Sequence, residues 1–230
     1  MAEAKLILKL VAQTVVWLGA MAVLLFAAAG NWLWPQAWAF AAIFVLGSIG
    51  FSIWLLPRDP ALLESRLKPL DQPGQPLWDR IFLLFFIALW FVWLVLMAFD
   101  AQRWRSSHVP VALNVLGGVL IVVGFTATVA VLRENSYAAP AVRIQKERGQ
   151  HVIDTGPYAL VRHPMYAAAI PYLVGIPLLL GSWYGLIGSA IILAGVSVRS
   201  IFEEKKLARE LPGYADYMTR VRHRLIPGVW

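Results

Sequence analysis

Four long apolar runs dominate the first part of the chain, near 6–29, 35–56, 81–99 and 111–132. Each is about as long as the 20 residues a helix needs to cross roughly 30 Å of hydrocarbon. Two shorter runs follow, near 164–181 and 183–198, joined by Gly181-Ser182-Trp183 and carrying Pro171, Gly175 and Pro177. That pair predicts a helical hairpin, kinked and only marginally long enough to span. The first run is too long for a signal-peptide core, and Gly30 through Pro35 reads as a turn into the next helix, so it is expected in the mature structure. Between the second and third runs, the 57–80 segment has four Pro after Pro57 and mixed charge, which predicts a short amphipathic piece at the interface. No role attaches to it.

Composition agrees with the pattern. Of the 230 residues, 60% are hydrophobic and only 14% charged, with eleven Trp, against about 25% charged in an ordinary globular domain. The expectation is an all-α integral membrane protein with about six transmembrane helices, a C-terminal helical hairpin, and a titratable loop and tail helix on the cytoplasmic side. It would form a single membrane domain over 1–230, with N-terminal helices in 1–132 and the chemistry in 133–230. The absence of Cys excludes disulfides, thiolate catalysis and iron–sulfur clusters, and four His without an HExxH pair leave no metal site expected. With the N-terminus placed in the cytoplasm, eighteen of the twenty Lys and Arg fall on that side and only Arg103 and Arg105 on the other. The net charge of +7 therefore reads as topology and contact with anionic membrane lipids, not as a nucleic-acid footprint.

One stretch sets charge directly against an apolar run: GPYALVRHPMYAAAIPYLVG, residues 156–175. Pro164 suits a first helical position and pushes His163 into an extended conformation, so a helix should begin there. Its N-terminus makes a seat for a carboxylate or phosphate. The Gly156-Pro157 turn lets Tyr158 and Tyr166 approach that seat from two sides. Arg162 and His163 can equally be interfacial anchors, with the two Tyr in an aromatic belt.

A second cluster lies where the last apolar run ends, in VSVRSIFEEKKLARELPGYADYMTRVRHRLIP. Arg199 and Glu203 are four apart and share one helix face, with Glu204 one position round. Carboxylates at a membrane edge are costly unless they pair or bind something. An internal Arg199–Glu203 salt bridge is one solution; a ligand is the other. An amino-acid zwitterion needs an anion seat beside a cation seat, and an adenine ring needs an apolar or aromatic wall. S-adenosyl-L-methionine presents all of these, plus a sulfonium that aromatic faces accommodate. A Rossmann site would instead show GxGxxG after a strand, and none occurs.

RGQHVIDTGPYALVRHPMY, followed by RSIFEEKKLARELPGYADYMTRVRHRLIP, resembles the signature of the isoprenylcysteine carboxyl methyltransferase family, membrane enzymes related to phospholipid methyltransferases. The resemblance covers 133–227 and rests on GPY, RHPxY, R-x-x-x-E-E and a Y-x-x-Y tail. It implies S-adenosyl-L-methionine enclosed from the cytoplasmic side, with Gln150, His151, Val152 and Ile153 lining it, Tyr158, His163 and Tyr166 around it, and Glu203 or Glu204 on its amino group. Arg162 would support the cofactor carboxylate and Arg199 hold an anionic substrate group, so Arg199, Glu203 and Tyr166 stand as the catalytic set. Ala168 occupies a position where the family often has Gly.

The reaction expected is methyl transfer to a lipophilic small molecule from the bilayer, a carboxylate such as isoprenylcysteine or a lipid head group. An ionised carboxylate needs no general base, whereas an amine would need Glu203, Glu204 or His163. A sterol-reductase-like enzyme using NADPH and a non-catalytic membrane protein are the alternatives. Gly117, Gly118 and Gly124 predict close packing in the fourth span.

Overall fold

The computed structural model describes residues 2–230 and is all-helical, with no strand among them. Eight helices follow in order: α1 (Ala2–Ala29), α2 (Pro35–Leu55), α3 (Pro60–Arg66), α4 (Leu77–Ala98), α5 (Val111–Glu134), α6 (Pro164–Leu180), α7 (Trp183–Glu210) and α8 (Tyr214–Arg220). Five are long and apolar enough to cross a membrane, α4 being continued by a π-helical turn over Phe99–Trp104. The sixth apolar run, α6, has 17 residues, or roughly 25 Å of helix, which is why it looked marginal in the sequence. Large apolar side chains such as Leu8, Val16, Leu46, Ile53, Phe85 and Val115 face outward. A surface of that kind suits lipid and not water, consistent with a multi-pass membrane protein.

The long helices alternate in direction. The end of α1, the start of α2 and the ends of α4 and α6 therefore meet at one end of the bundle. There Leu25, Phe26, Trp34, Phe40, Trp93, Met97, Ile176 and Leu180 form a closed core. Trp93 donates its indole N–H to the Gly185 carbonyl at 2.8 Å, and small residues on α7 make room for its ring: a Cβ on Gly188 would lie 2.3 Å from it. At the same end Asp100 accepts from the hydroxyls of Ser107 and Ser182 at 2.6 and 2.5 Å, tying the α6–α7 turn to α4. Arg103, one of the two cations set apart by the charge count, donates to the Ala27 and Ala28 carbonyls at the end of α1.

The α5–α6 contact is the closest in the bundle. A Cβ on Gly117 would fall 2.4 Å from the Leu179 backbone nitrogen and 2.6 Å from the Gly175 carbonyl oxygen. Backbone meets backbone, as the glycines of the fourth span predict. Because neither neighbour is a flexible side-chain end, Gly117→Ala should force the helices apart and cost about 1–3 kcal/mol. Thermal melting in detergent measures this, with Gly19→Ala as the control, since nothing lies within 4 Å of a Cβ there.

The opposite end is open. The proline-rich 57–80 segment folds there into α3, as the amphipathic pattern predicts: Asp59 caps it by accepting from the Leu62 N–H at 2.8 Å, Pro60 opens it, and Leu62 and Leu63 are buried. Helix α7 does not stop at the apolar boundary near 198 but runs unbroken to Glu210, carrying Arg199, Glu203 and Glu204.

Candidate functional site

Helix α6 begins at Pro164, as the His163-Pro164 step requires, with His163 at its N-cap at φ −123°. The residues before it are pinned by the tail. Arg162 N–H donates to the His223 carbonyl and His163 N–H to the Arg224 carbonyl, both at 2.9 Å. The Arg162 side chain donates to Glu204 at 2.6 Å and to the carbonyls of Val221 and Arg222 at 2.8 and 2.9 Å. His163 Nε2 lies 3.2 Å from Glu204, and Arg224 donates to its other oxygen at 2.9 Å. Thus the anion that Arg162 and His163 hold is the protein's own. Glu204 is 2% exposed, joined to three side chains from two other segments, and it stands apart from the cavity below.

Arg199 also has a different partner from the one its spacing suggests. Instead of pairing with Glu203, it donates through Nε and Nη2 to Asp79 of α4 at 3.0 and 2.8 Å, and through Nη2 to the Pro140 carbonyl at 2.6 Å. Asp79 is fully buried and also accepts from Gln75 at 2.8 Å and from the Val142 N–H at 3.0 Å. The third nitrogen of Arg199 donates to the Tyr166 hydroxyl at 2.5 Å, and that hydroxyl donates to Glu203 at 2.8 Å. Arg199 being neutralised by Asp79, Glu203 is left with a tyrosine proton and a His163 nitrogen 3.7 Å away. Its side chain is 24% exposed.

These groups border a cavity that encloses about 1030 Å³ including its open mouth. Nine of the ten residues expected around a cofactor line it: Gln150, His151, Val152 and Ile153 from the loop, then Tyr158, Arg162, His163, Tyr166 and Glu203. The tenth, Glu204, does not. Arg199 lines it as well. Within the loop, Gln150 is partly spent on structure, since its side-chain amide oxygen accepts from the Gln145 backbone N–H at 2.6 Å. His151 sits edge-on to Tyr137, ring centroids 5.5 Å apart. Tyr158 accepts from Asn135 at 2.7 Å, and its carbonyl from the Tyr217 hydroxyl at 2.8 Å. Burial pushes the Tyr158 phenol up, so it stays a neutral donor and acceptor.

Residues 113–212 match the phospholipid methyltransferase family model. The matched stretch runs from the start of α5 to just past α7. With five membrane-length helices, it supports a membrane methyltransferase. No curated protein matches the chain significantly.

Three contributors escaped the reading of the sequence. Asp79 lies at the edge of the third apolar run, where the cost of a membrane-edge carboxylate, applied to Glu203, would have flagged it equally. Arg66, in the segment given no role, reaches the cavity from α3. Tyr214 of the Y-x-x-Y tail lines it from α8. No group of three metal-ligating side chains occurs among the described residues.

Proposed function

We propose that this protein is an S-adenosyl-L-methionine-dependent methyltransferase that takes its cofactor from the cytosol and a lipophilic acceptor from the bilayer. The observation that carries the reading is Glu203: a carboxylate at a membrane edge, facing a polar cavity in the phospholipid methyltransferase region, with no Lys or Arg bound to it among the described residues. The donor set fits the cofactor. Glu203 offers an anion for its ammonium, while Val152, Ile153, Leu207 and Leu211 offer apolar wall for its adenine. When bound, the cofactor supplies an electrophilic methyl on sulfur, whose transfer to an acceptor lone pair leaves a neutral thioether.

The rest falls to the chain. Asp79 and Arg199 fix the Tyr166 hydroxyl, which in turn aims one oxygen of Glu203, so the polar wall is set before any ligand arrives. Arg199 also borders a second, almost wholly apolar groove on the outer surface between α4 and α7, formed with Trp78, Ile81, Phe82, Phe85, Val198 and Phe202. A hydrocarbon chain in that groove would bring its head group to Arg199, the residue both spaces share. Isoprenylcysteine-like carboxylates and lipid head groups are the acceptors that this arrangement suits. The Lys and Arg distribution supports a cytoplasmic cavity and cytoplasmic termini.

Calorimetric titration of S-adenosylhomocysteine into detergent-purified protein tests this. The wild type should bind. Glu203→Gln loses a charge-assisted bond of about 1.5–3 kcal/mol, which weakens binding by roughly ten- to a hundredfold with little change in melting. Equal affinity in the two proteins would sink the assignment.

A further inference from the structure

Four arginines line the cavity, and three have carboxylate partners. Arg143 pairs with Glu147 at 2.7 Å, Arg162 with Glu204 at 2.6 Å and Arg199 with Asp79 at 2.8 Å. Arg66 has no acidic partner among the described residues. It donates to the Ala138 carbonyl at 2.9 Å and lies over the Phe51 ring, 5.9 Å from its centroid. A half-buried guanidinium with one carbonyl and one ring around it is poorly compensated. Its surroundings show this: burial pulls Arg66 below the ordinary arginine value, with Tyr172 and Tyr158 acting the other way.

Glu203 is the complementary case, a carboxylate on the same cavity with no Lys or Arg bound to it. Tyr158 lies between the two influences. Glu203 raises its phenol and Arg66 lowers it, both being secondary to burial. One cavity is thus lined by a guanidinium with no carboxylate bound to it and a carboxylate with no Lys or Arg bound to it among the described residues, with Tyr158 in the same lining.

We propose that Arg66 is the seat for the cofactor's carboxylate, opposite Glu203 as the seat for its ammonium, so that the two hold the amino-acid zwitterion. This rests on the methyltransferase reading above and deepens it. The role expected of Arg162 passes to a residue of α3, about a hundred positions earlier in the chain. Arg66 then serves two functions, since its bond to the Ala138 carbonyl fixes the loop that walls the cavity.

The decisive experiment compares S-adenosylmethionine with its decarboxylated analogue, which keeps the ammonium and lacks only the carboxylate. Both are titrated calorimetrically into the wild type, Arg66→Gln and Arg66→Lys, with melting curves alongside. In the wild type the analogue should bind roughly ten- to a hundredfold more weakly. In Arg66→Gln the two ligands should bind alike, to within about threefold, because the group that distinguishes them is gone. Arg66→Lys should restore part of the difference. An Arg66→Gln protein that still discriminates as the wild type does overturns the proposal. So does one that loses both ligands equally while melting lower, which is the signature of a residue that only braces Ala138. A wild type that binds neither ligand overturns the methyltransferase reading itself, and this seat with it.

Discussion

Glu204→Ala should melt far below the wild type, by an amount equivalent to about 3–5 kcal/mol. The substitution removes the anion to which Arg162, His163 and Arg224 all point. Arg162 is 7% exposed and His163 6%, so neither can turn to water for compensation. The segments they belong to, the start of α6 and the tail after α8, are joined by this carboxylate, by two backbone bonds and by the Arg162 side chain's bonds to the Val221 and Arg222 carbonyls, which the carboxylate holds in place. Ligand affinity in whatever fraction stays folded is a poor indicator here; the melting curve is the measurement. A Glu204→Ala protein as stable as the wild type would show that the clamp is idle.

Asp79→Ala should have a different and more specific outcome. Arg199 loses its partner in a buried setting, which by itself costs about 3–5 kcal/mol. An arginine in that position takes the nearest carboxylate, and Glu203 lies four residues along the same helix, within ordinary pairing distance. The salt bridge that the sequence suggests, and that the fold avoids, then forms. It withdraws Glu203 from the cavity. Asp79→Ala should therefore weaken S-adenosylhomocysteine about as much as Glu203→Gln does, roughly ten- to a hundredfold. Combining the two substitutions should add little to the loss in affinity. Additive losses would mean that Arg199 and Glu203 do not communicate in this way.

The pairings explain how far the sequence could be read. The number of helices, the Pro164 start, the α6–α7 turn, the amphipathic α3 and the glycine contact in α5 are recorded in short stretches, because each follows from local chemistry or from length against a bilayer. The loop residues 150–153 and the tyrosines could be placed on one cavity through the family pattern. What could not be read was the choice between neighbours. Glu203 and Glu204 are adjacent, and a helix turns about 100° between them; which one meets the cavity depends on where the tail and α6 lie. The partner of Arg199 is 120 residues away, and spacing along one helix is silent about it. Arg66 was hidden for the opposite reason. Its segment reads as an ordinary interfacial loop, and only the fold shows the guanidinium on the cavity with no carboxylate bound to it among the described residues.

The bonds from Arg162 and His163 to the carbonyls of residues 221–224 also set a schedule for the molecule's making. Helices leave the ribosome in order and can enter the bilayer while translation continues, yet Glu204 has its full complement of cations only after Arg224 has been added. Until then the bundle of long helices stands beside an open clamp. The clamp closes once the tail is free to fold back, so the start of α6 should be fixed late, by a segment that follows all the long helices, and not helix by helix.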